Sequence, residues 1–264
     1  MCPHTWQPTR GGEHDEADQD RPSPYEQQRL LKESRVTLLG LGGTGSAVAM
    51  SLAAVGVGSL LCADFDVVET GNLNRQPLYA EDDVGMPKVD AAVRRPRGIN
   101  RHVEVAGRSV KVSSIEDVLS LMDTDLFILC ADLPYPEIEL WTNDAALLTG
   151  TPWIISQYAG PQTLTSLFVP YRTPCFRCAD EAHPWILDPD GNGRQRMRTP
   201  PGHAVIAPTA IVSGQFAALE EICHLTGMPT QTARRTFRQS PLVYDHNFYT
   251  DLEFWPECPG RGGR

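Results

Sequence analysis

Residues 35–45 read Arg-Val-Thr-Leu-Leu-Gly-Leu-Gly-Gly-Thr-Gly, an apolar, strand-like run that ends in a cluster of glycines. A helical pattern of small residues follows over residues 44–55. Glycines between a strand and a helix permit a tight turn in which backbone N–H groups approach a phosphate at the helix amino terminus. This stretch therefore predicts a nucleotide site, although the same glycines are also expected where a helix only packs closely against a strand. The glycines concerned are Gly40, Gly42, Gly43 and Gly45.

Strand-like and helical patterns alternate on both sides of this turn. Strands are predicted at residues 35–40, 59–64, 102–105, 125–130 and 152–156. Helices are predicted at residues 25–34, 44–55, 89–95 and 136–148, with Pro96 ending the third. Such alternation is typical of βαβ units, so we predict an α/β protein with a Rossmann-like, doubly wound and mostly parallel sheet.

The pattern changes after residue 160. Residues 163–169 alternate like an antiparallel strand, residues 204–225 form a long helical pattern, and residues 242–254 look like one or two closing strands. We therefore expect a C-terminal antiparallel extension of the sheet. The expected organisation is a disordered N-terminal lead at residues 1–24, a single domain at residues 25–259 and a flexible tail at residues 260–264.

Composition excludes several classes of protein. The 264 residues include 23 basic and 33 acidic side chains, which give a formal net charge of −10. This balance argues against a nucleic-acid-binding face, which needs concentrated Lys and Arg. No apolar run approaches the roughly 20 residues that span a bilayer, and the amino terminus lacks a signal-peptide pattern. Because the seven cysteines are also irregularly spaced, we expect a cytoplasmic protein.

Polar side chains follow the second predicted strand in a dense run. Asp64 ends that strand about 20 residues after the glycine turn, a spacing that suits a ribose hydroxyl. The polar residues that follow are Asp66, Asn72, Arg75, Gln76 and Lys88. The glycine turn alone would favour an NAD-dependent dehydrogenase, but this run has no role in hydride transfer.

These motifs resemble, in their order and spacing, the ThiF/MoeB superfamily, the bacterial relatives of ubiquitin-activating enzymes. The similarity covers roughly residues 30–260. The residues that carry it are the glycine turn, Asp64, Asp66, the Asn72-Leu-Asn-Arg-Gln76 run, Val84-Gly85 with Lys88, Asn100, Asp132, Cys175, Cys178 and Glu220. The resemblance implies that ATP and Mg²⁺ are used to adenylate the C-terminal carboxylate of a small ubiquitin-like sulfur carrier ending in Gly-Gly, or of a biosynthetic peptide. It also implies a homodimer.

The reaction brings a carboxylate and a triphosphate together, so cations must offset their charge. Arg75 offers a planar fork for phosphate oxygens and Lys88 a compact charge, and we expect both to act in catalysis. Outside this motif, either would be interpreted as a solvated surface charge. Asp132 follows the fourth predicted strand and is the expected Mg²⁺ ligand, with a helix N-cap as the alternative. By resemblance, the glycine turn, Asp64, Asp66, Asn72 and Gln76 bind the cofactor.

The sequence departs from the family pattern in three places. Asp132 is flanked by Ala131 and Leu133, where the family has polar residues. Residues 24–28 lack the arginine that relatives direct at the partner subunit's ATP, so Arg21, Arg29 or no residue takes that role. Residues 183–203 contain no cysteine, and we therefore expect no thioester on a crossover loop. The arginines in that loop, which form a solvated patch or dock a substrate tail, are Arg194, Arg196 and Arg198.

Five of the seven cysteines fall into two groups. Cys62 and Cys130 lie in apolar strands and are expected in the core. Cys175 and Cys178 form half of a zinc motif, and Cys258 is the remaining partner because Arg261 stands where the fourth cysteine is expected. The alternatives are a zinc ion with a fourth ligand from elsewhere, a metal-free remnant, and a redox-active pair.

Two further functions remain open at this point. One is that of a tRNA-modifying dehydratase of the same superfamily, against which the net acidic charge counts. The other is that of a non-catalytic scaffold that retains the fold, which the altered neighbours of Asp132 and the missing N-terminal arginine favour.

Overall fold

The computed structural model describes residues 21–159, 162–182, 206–240, 247–256 and 258. Several expectations fall outside these described residues. They are most of the N-terminal lead at residues 1–24, the loop at residues 183–203 with its three arginines, the start of the closing strands at residues 242–254, and the tail at residues 260–264.

Helices and strands alternate through the described residues. The strands are β1 Arg35–Leu39, β2 Ser59–Asp64, β3 Glu104–Ser109, β4 Leu126–Leu129, β5 Trp153–Ala159, β6 Gln162–Phe168, β7 Arg235–Gln239 and β8 Asn247–Asp251. The helices are α1 Pro24–Glu33, α2 Gly43–Val55, α3 Lys88–Ile99, α4 Ile115–Leu119, α5 Glu137–Thr149, α6 Phe176–Ala182 and α7 Ala207–Leu225. Short 3₁₀ turns at Thr70–Asn72 and Glu81–Asp83 lie between β2 and α3.

All of these strands form one sheet in the order β3-β2-β1-β4-β5-β6-β7-β8. The first five pair in parallel, and β6, β7 and β8 continue the sheet in antiparallel pairs. This topology confirms the predicted Rossmann-like sheet with an antiparallel extension. Because the chain leaves β1 for β2 on one side and later returns to β4 on the other, a topological switch point lies between β1 and β4.

The sheet separates two apolar layers, since successive side chains of a strand point to opposite faces. Leu38 and Ile128 pack on the face covered by α2 and α3, whereas Leu39 and Phe127 pack on the face covered by α5. Every residue of β4 is fully buried, as expected for a central strand with helices on both faces. No helix in the described part of the chain is long and apolar enough to cross a membrane.

Helix α7 packs tightly along α2 through small residues. A Cβ atom placed on Gly214 would lie 2.5 Å from the carbonyl oxygen of Thr44 and 2.6 Å from Cβ of Ala47. Both of these residues are in α2, so the two helix backbones nearly touch. This contact fixes the helix that begins at the glycine turn.

Three local predictions from the sequence are wrong. Helix α3 does not end at Pro96 but continues to Ile99, because the carbonyl of Pro96 accepts the N–H of Asn100 at 2.9 Å and closes one more turn. Strand β3 occupies residues 104–109 rather than 102–105. Strand β5 extends three residues beyond Ser156, since β6 pairs with it over its full length.

The α2–α7 contact generates a prediction about two glycines in helices. Gly214→Ala is expected to lower the free energy of unfolding by about 1 to 3 kcal/mol, because the added methyl group meets backbone that cannot move aside. A methyl group added to Gly98 in α3 would have nothing within 4 Å, so Gly98→Ala should raise stability by about 0.5 to 1 kcal/mol. Urea unfolding of the two variants measures both values, and equal effects would contradict the steric account.

Candidate functional site

A cleft of about 640 Å³ opens at the carboxyl ends of β1, β2, β4 and β5. This is the switch point of the sheet, where ligands bind in open α/β folds. The residues expected to bind ATP and Mg²⁺ line it, with the exception of Gly45. They are Gly40, Gly42, Gly43, Asp64, Asp66, Asn72, Arg75, Gln76, Lys88 and Asp132.

The glycines between β1 and α2 serve two different purposes. Gly40 has a φ of +96° and lies so close to β4 that a Cβ atom would be 2.4 Å from the backbone nitrogen of Ala131. A Cβ on Gly45 would lie 1.9 Å from the carbonyl oxygen of Gly40, so this glycine is required for packing. A Cβ on Gly42 would meet nothing closer than a Gln76 nitrogen at 4.0 Å. The missing side chain of Gly42 therefore leaves open space in the cleft. At Gly40 and Gly45, by contrast, the missing side chain makes room for neighbouring backbone atoms.

Polar groups without partners surround that space. Helix α2 begins after Gly42 without a side-chain cap, so within the described residues no N-cap side chain accepts its first N–H groups. The hydroxyl of Thr44 and the carbonyl oxygen Oε1 of Gln76 are buried and have no hydrogen-bond partner among the described residues. Both side chains line the cleft. Because buried polar atoms are nearly always paired, the Thr44 hydroxyl fits as a donor to a phosphate group at the helix amino terminus, and the Gln76 oxygen fits as an acceptor for an O–H or N–H group of the same ligand.

Asp64 joins the end of β2 to the glycine turn. Its Oδ2 accepts the N–H of Leu41 at 2.7 Å and its Oδ1 accepts the N–H of Asp66 at 2.9 Å. The hydroxyl of Tyr79 donates to the carbonyl of the same Leu41 at 2.8 Å. The carboxylate is thus held at the wall of the cleft, with lone pairs left to accept hydroxyl groups of a ligand.

Two cations reach the cleft from the segment after β2. Lys88 is buried, and its Nζ lies 3.0 Å from Oδ2 of Asp66. Arg75 donates from Nη1 to the carbonyl of Gly71 at 2.7 Å and to Oδ1 of Asn74 at 2.9 Å. These bonds orient each cation and use only part of its donor capacity, because an ammonium has three N–H groups and a guanidinium has five. Asn72 holds the same segment by accepting the N–H of Glu69 at 3.1 Å.

Asp132 is exposed at the cleft, directly after β4. The alternative interpretation as a helix N-cap is wrong, because α5 is preceded by Pro136 in the N-cap position. A carboxylate at this point suits Mg²⁺, which combines one or two protein oxygens with phosphate oxygens. Its neighbour Leu133 is 66% exposed, so an apolar surface flanks the carboxylate at the mouth of the cleft.

The structure adds two residues that the sequence did not single out, Gln157 and Tyr158. Both line the cleft at the end of β5, and they were missed because that strand was expected to stop at Ser156. The hydroxyl of Tyr158 would lie 3.2 Å from a Cβ on Gly43 and is hydrogen-bonded to Arg75. The sequence signal that could have identified them is the polar pair Gln157-Tyr158 directly after the apolar run of β5.

Gln157 is connected to a buried carboxyl group on α5. Its Nε2 donates to Oε1 of Glu139 at 3.1 Å. Oε2 of Glu139 is buried and has no hydrogen-bond partner within the described chain. Burial raises the pKa of Glu139 to about 7, and the negative charges of Asp132 and Glu137 act in the same direction.

The opposite wall of the cleft is apolar. It is formed by Phe65 after β2 and by Val110 and Val112 after β3. Nζ of Lys111 lies 5.4 Å from the centre of the Phe65 ring, a cation–π distance. Flat apolar surface beside polar anchors is typical of a site for an aromatic ligand group such as a nucleobase.

The three cysteines of the incomplete zinc motif come together away from the cleft. Sγ of Cys175 is 3.8 Å from Sγ of Cys178 and 3.3 Å from Sγ of Cys258. All three are buried, and their sulfur atoms lie within 4.8 Å of one another. Thiolates at this spacing match the donor set of a structural Zn²⁺ site with a fourth position to fill.

The remaining cysteines in strands differ from each other. Cys62 is fully buried in the core, as expected. Cys130 packs against the core, as expected, but it is only partly buried and also contributes to the cleft wall. The cause is its position one residue beyond β4, where the sheet ends.

The fold and the cleft define an α/β protein with a nucleotide-type site at its switch point. The chain belongs to the ThiF family, whose model matches residues 19–258. It is 37% identical over 213 residues to the sulfur carrier protein ThiS adenylyltransferase of Bacillus subtilis (strain 168), which covers 80% of this chain and 60% of that protein. It is 30% identical over 205 residues to the molybdopterin-synthase adenylyltransferase of Escherichia coli (strain K12), covering 77% of each.

Solved structures show the same fold. A crystal structure of E. coli MccB with ATP superposes with a TM-score of 0.78 at 23% identity, over 90% of this chain and 69% of that one. The chain spans about 60% of the length of the B. subtilis relative.

The buried carboxyl group gives a prediction about stability and pH. Glu139 has a pKa of about 7 in the fold against an ordinary value of 4.5. It therefore binds its proton more tightly when folded, and it destabilises the protein progressively as the pH rises from about 4.5 to about 7. Between pH 5 and pH 8, the wild-type protein should lose about 2 to 3 kcal/mol of stability relative to Glu139→Gln.

Urea unfolding at the two pH values measures this difference. Glu104→Gln is the control, because Glu104 is exposed at the start of β3 and is not among the charges that shift the pKa of Glu139, and it should follow the wild-type pH dependence. Parallel pH dependence of the wild-type protein and Glu139→Gln would contradict the assignment.

Proposed function

We propose that this protein adenylates the C-terminal carboxylate of a polypeptide. The carboxylate attacks the α-phosphate of ATP, an acyl-adenylate forms, and pyrophosphate leaves. The observation that carries the proposal is the convergence of Arg75, Lys88 and Asp132 on one cleft with the uncapped amino terminus of α2. The names of the relatives, which are adenylyltransferases, support it.

The proposed roles follow from the geometry of the cleft. Phosphate groups occupy the space left by Gly42, where they meet the first N–H groups of α2 and the hydroxyl of Thr44. Asp64 accepts a ribose hydroxyl, and the apolar wall beyond it takes the base. Arg75 and Lys88 offset the negative charge that accumulates as the carboxylate approaches the α-phosphate.

Asp132 is the residue that would hold Mg²⁺. When bound, the ion would neutralise part of the negative charge of the phosphate groups. The chemistry of a carboxylate beside two cations and a helix amino terminus fits this ion. Asp66 remains paired with Lys88 and sets the position of the ammonium group.

The acceptor that we propose is a small ubiquitin-like sulfur carrier protein with a free C-terminus. The relatives named for ThiS in B. subtilis and E. coli support this class, and a biosynthetic peptide is the second candidate because solved structures of MccB contain the peptide MccA. The proposal has no thioester step, since residues 183–203 contain no cysteine. It includes a homodimer, which the family resemblance implies, and a cytoplasmic location, which the irregular spacing of the cysteines favours.

Pyrophosphate–ATP exchange tests the proposal. We expect exchange to require a carrier with a free C-terminus, and we expect Arg75→Ala and Lys88→Met each to lower its rate by about 100-fold or more, because each removes a cation from the charge-bearing site. Thermal melts identify any variant that fails to fold.

Two surface substitutions serve as matched controls for this assay. Arg101 is exposed between α3 and β3, and Lys32 is exposed in α1, so Arg101→Ala and Lys32→Met should exchange at the wild-type rate. Wild-type exchange in Arg75→Ala would refute the role of that arginine. Absence of exchange with every carrier and peptide, in a protein that still binds ATP, would favour the scaffold alternative.

We further propose that Cys175, Cys178 and Cys258 hold a structural zinc ion. The support is the approach of their sulfur atoms to within 4.8 Å, which matches the space that a tetrahedral ion occupies between thiolates. The ion would join α6 to the segment that follows β8. The fourth ligand is then a water molecule or a side chain outside the described residues.

Elemental analysis of the purified protein tests this proposal. We expect one zinc ion per chain, and we expect Cys258→Ser to lose the ion and to melt at a lower temperature, since the ion contributes directly to folding. Cys223→Ser is the control, because Cys223 lies in α7 outside the cluster. Equal zinc content in Cys258→Ser and the wild-type protein would overturn the assignment.

A further inference from the structure

The order of the strands assigns the two sides of the cleft to different ligand groups. Asp64 and the apolar wall lie on the β2 side, and the glycine turn follows β1 in the middle. On the β5 side lie Gln157 and Tyr158. If the nucleoside and phosphates occupy the β2 side and the centre, the acceptor polypeptide must approach from the β5 side.

The carboxamide of Gln157 has one orientation when Glu139 is ionised. A carboxylate can only accept hydrogen bonds, so the atom 3.1 Å from Oε1 of Glu139 must be the nitrogen of Gln157. The carbonyl oxygen of Gln157 then lies on the other branch of the planar amide. Because Gln157 lines the cleft, that oxygen is the acceptor which the side chain offers to a ligand.

The burial of Glu139 destabilises the fold, and this burial is explained if the carboxylate serves to orient Gln157. Glu139 is fully buried, and one of its two oxygens has no partner in the described part of the chain. Burial of a carboxyl group in this way destabilises a fold. The adjacent residue Ile138 packs in the apolar layer beneath the same helix, so an apolar side chain at position 139 would suit its surroundings. A buried carboxyl group beside a cleft with a raised pKa is characteristic of functional sites.

We propose that Gln157, oriented by Glu139, is a positioning and specificity residue for the acceptor. Its carboxamide oxygen accepts the backbone N–H of the acceptor's terminal residue and so directs the terminal carboxylate toward the glycine turn. This inference rests on the proposed adenylation function. It predicts that an acceptor whose terminal residue lacks an N–H is a poor substrate.

Distances across the sheet are compatible with this arrangement. Strand β5 is two positions from β1, which corresponds to roughly 10 Å. The side chain of Gln157, one terminal residue and the α-phosphate fit into this span. The neighbouring Tyr158 reaches the turn at Gly43 and Arg75, so the end of β5 and the phosphate region share one space.

A continuous row of side chains leads from the surface to Gln157. In the sheet register, Gln157 is opposite Leu164, Leu164 is opposite Arg238, and Arg238 is opposite Phe248. Directly opposite residues share a face, so these four lie side by side across the antiparallel extension. Phe248 is 47% exposed, and the Nε of Arg238 is buried with no hydrogen-bond partner in the described residues. An extended tail that crosses this row contacts the exposed ring of Phe248 before it reaches Gln157, whereas the Nε of Arg238 is enclosed by protein atoms.

The test uses a pair of acceptors that differ by one N–H. The probe is the B. subtilis sulfur carrier ThiS, prepared by semisynthesis with either glycine or sarcosine (N-methylglycine) as its terminal residue. Pyrophosphate–ATP exchange is measured at pH 8, where most Glu139 is ionised. In the wild-type protein, we expect sarcosine to lower kcat/KM for the carrier about tenfold, the effect of one lost hydrogen bond, with KM for ATP unchanged.

The variants decide whether Gln157 is responsible. Gln157→Met keeps the size of the side chain and removes the acceptor. It should lose about tenfold in kcat/KM with the glycine carrier and show no further loss with sarcosine. In Glu139→Gln, the new amide can accept or donate, so the preference for glycine should fall to an intermediate value. Gln215→Met, an exposed substitution of the same kind on α7, should retain the full preference.

Each other outcome overturns a specific assignment. If Gln157→Met discriminates between glycine and sarcosine as strongly as the wild-type protein, the discrimination is steric and the inference is wrong. A rise of KM for ATP in Gln157→Met would place this residue in the nucleotide site instead, which also overturns it. If the wild-type protein shows no exchange with any acceptor, the proposed function fails first, and the inference falls with it.

Discussion

The contact on which the rest of the structure depends is the approach of the β1–α2 turn to the end of β4. Gly40 lies so close to the backbone of Ala131 that a single methyl group would not fit between them. On the other side of the same turn, Asp64 accepts a hydrogen bond from the N–H of Leu41 and so holds the turn against the end of β2. The amino terminus of α2, the end of β2 and the residue Asp132 after β4 therefore have fixed relative positions before any ligand arrives. Preorganisation of this kind would allow a protein with a net charge of −10 to hold the proposed phosphate groups at a helix amino terminus.

Much of this site was predictable from the sequence because its chemistry is local. The glycine turn, Asp64, and the run from Asn72 to Lys88 are consecutive motifs, and their residue types predicted that they would line one site before any tertiary contact was known. The central strands were predictable for the same reason, since strands buried on both faces are continuous apolar runs. By contrast, β7 contains two arginines among its five residues. It is a strand because β6 and β8 pair with it, and no pattern within the segment predicts this.

The features that the sequence did not predict are those that depend on contacts between distant residues. Gln157 became a cleft residue because the pairing of β6 extends β5 beyond its apolar run. Its partnership with Glu139, 18 residues earlier in the chain, depends on the packing of α5 on the sheet. Similarly, a glycine cluster cannot show which glycine makes room for a ligand and which makes room for backbone. The distinction between Gly42 and Gly45 required the positions of their neighbours.

The cysteine cluster has a consequence for the order of events during translation. Cys175 and Cys258 are 83 residues apart in the chain, and α7, β7 and β8 all lie between them. While the ribosome is still making these elements, Cys175 and Cys178 are present without the third thiol of the cluster. The parallel half of the sheet has by then emerged and can begin to fold, since domains acquire structure from the amino terminus onward during synthesis. Closure of the cluster is therefore a late event, and it marks a chain whose antiparallel extension has been completely synthesised.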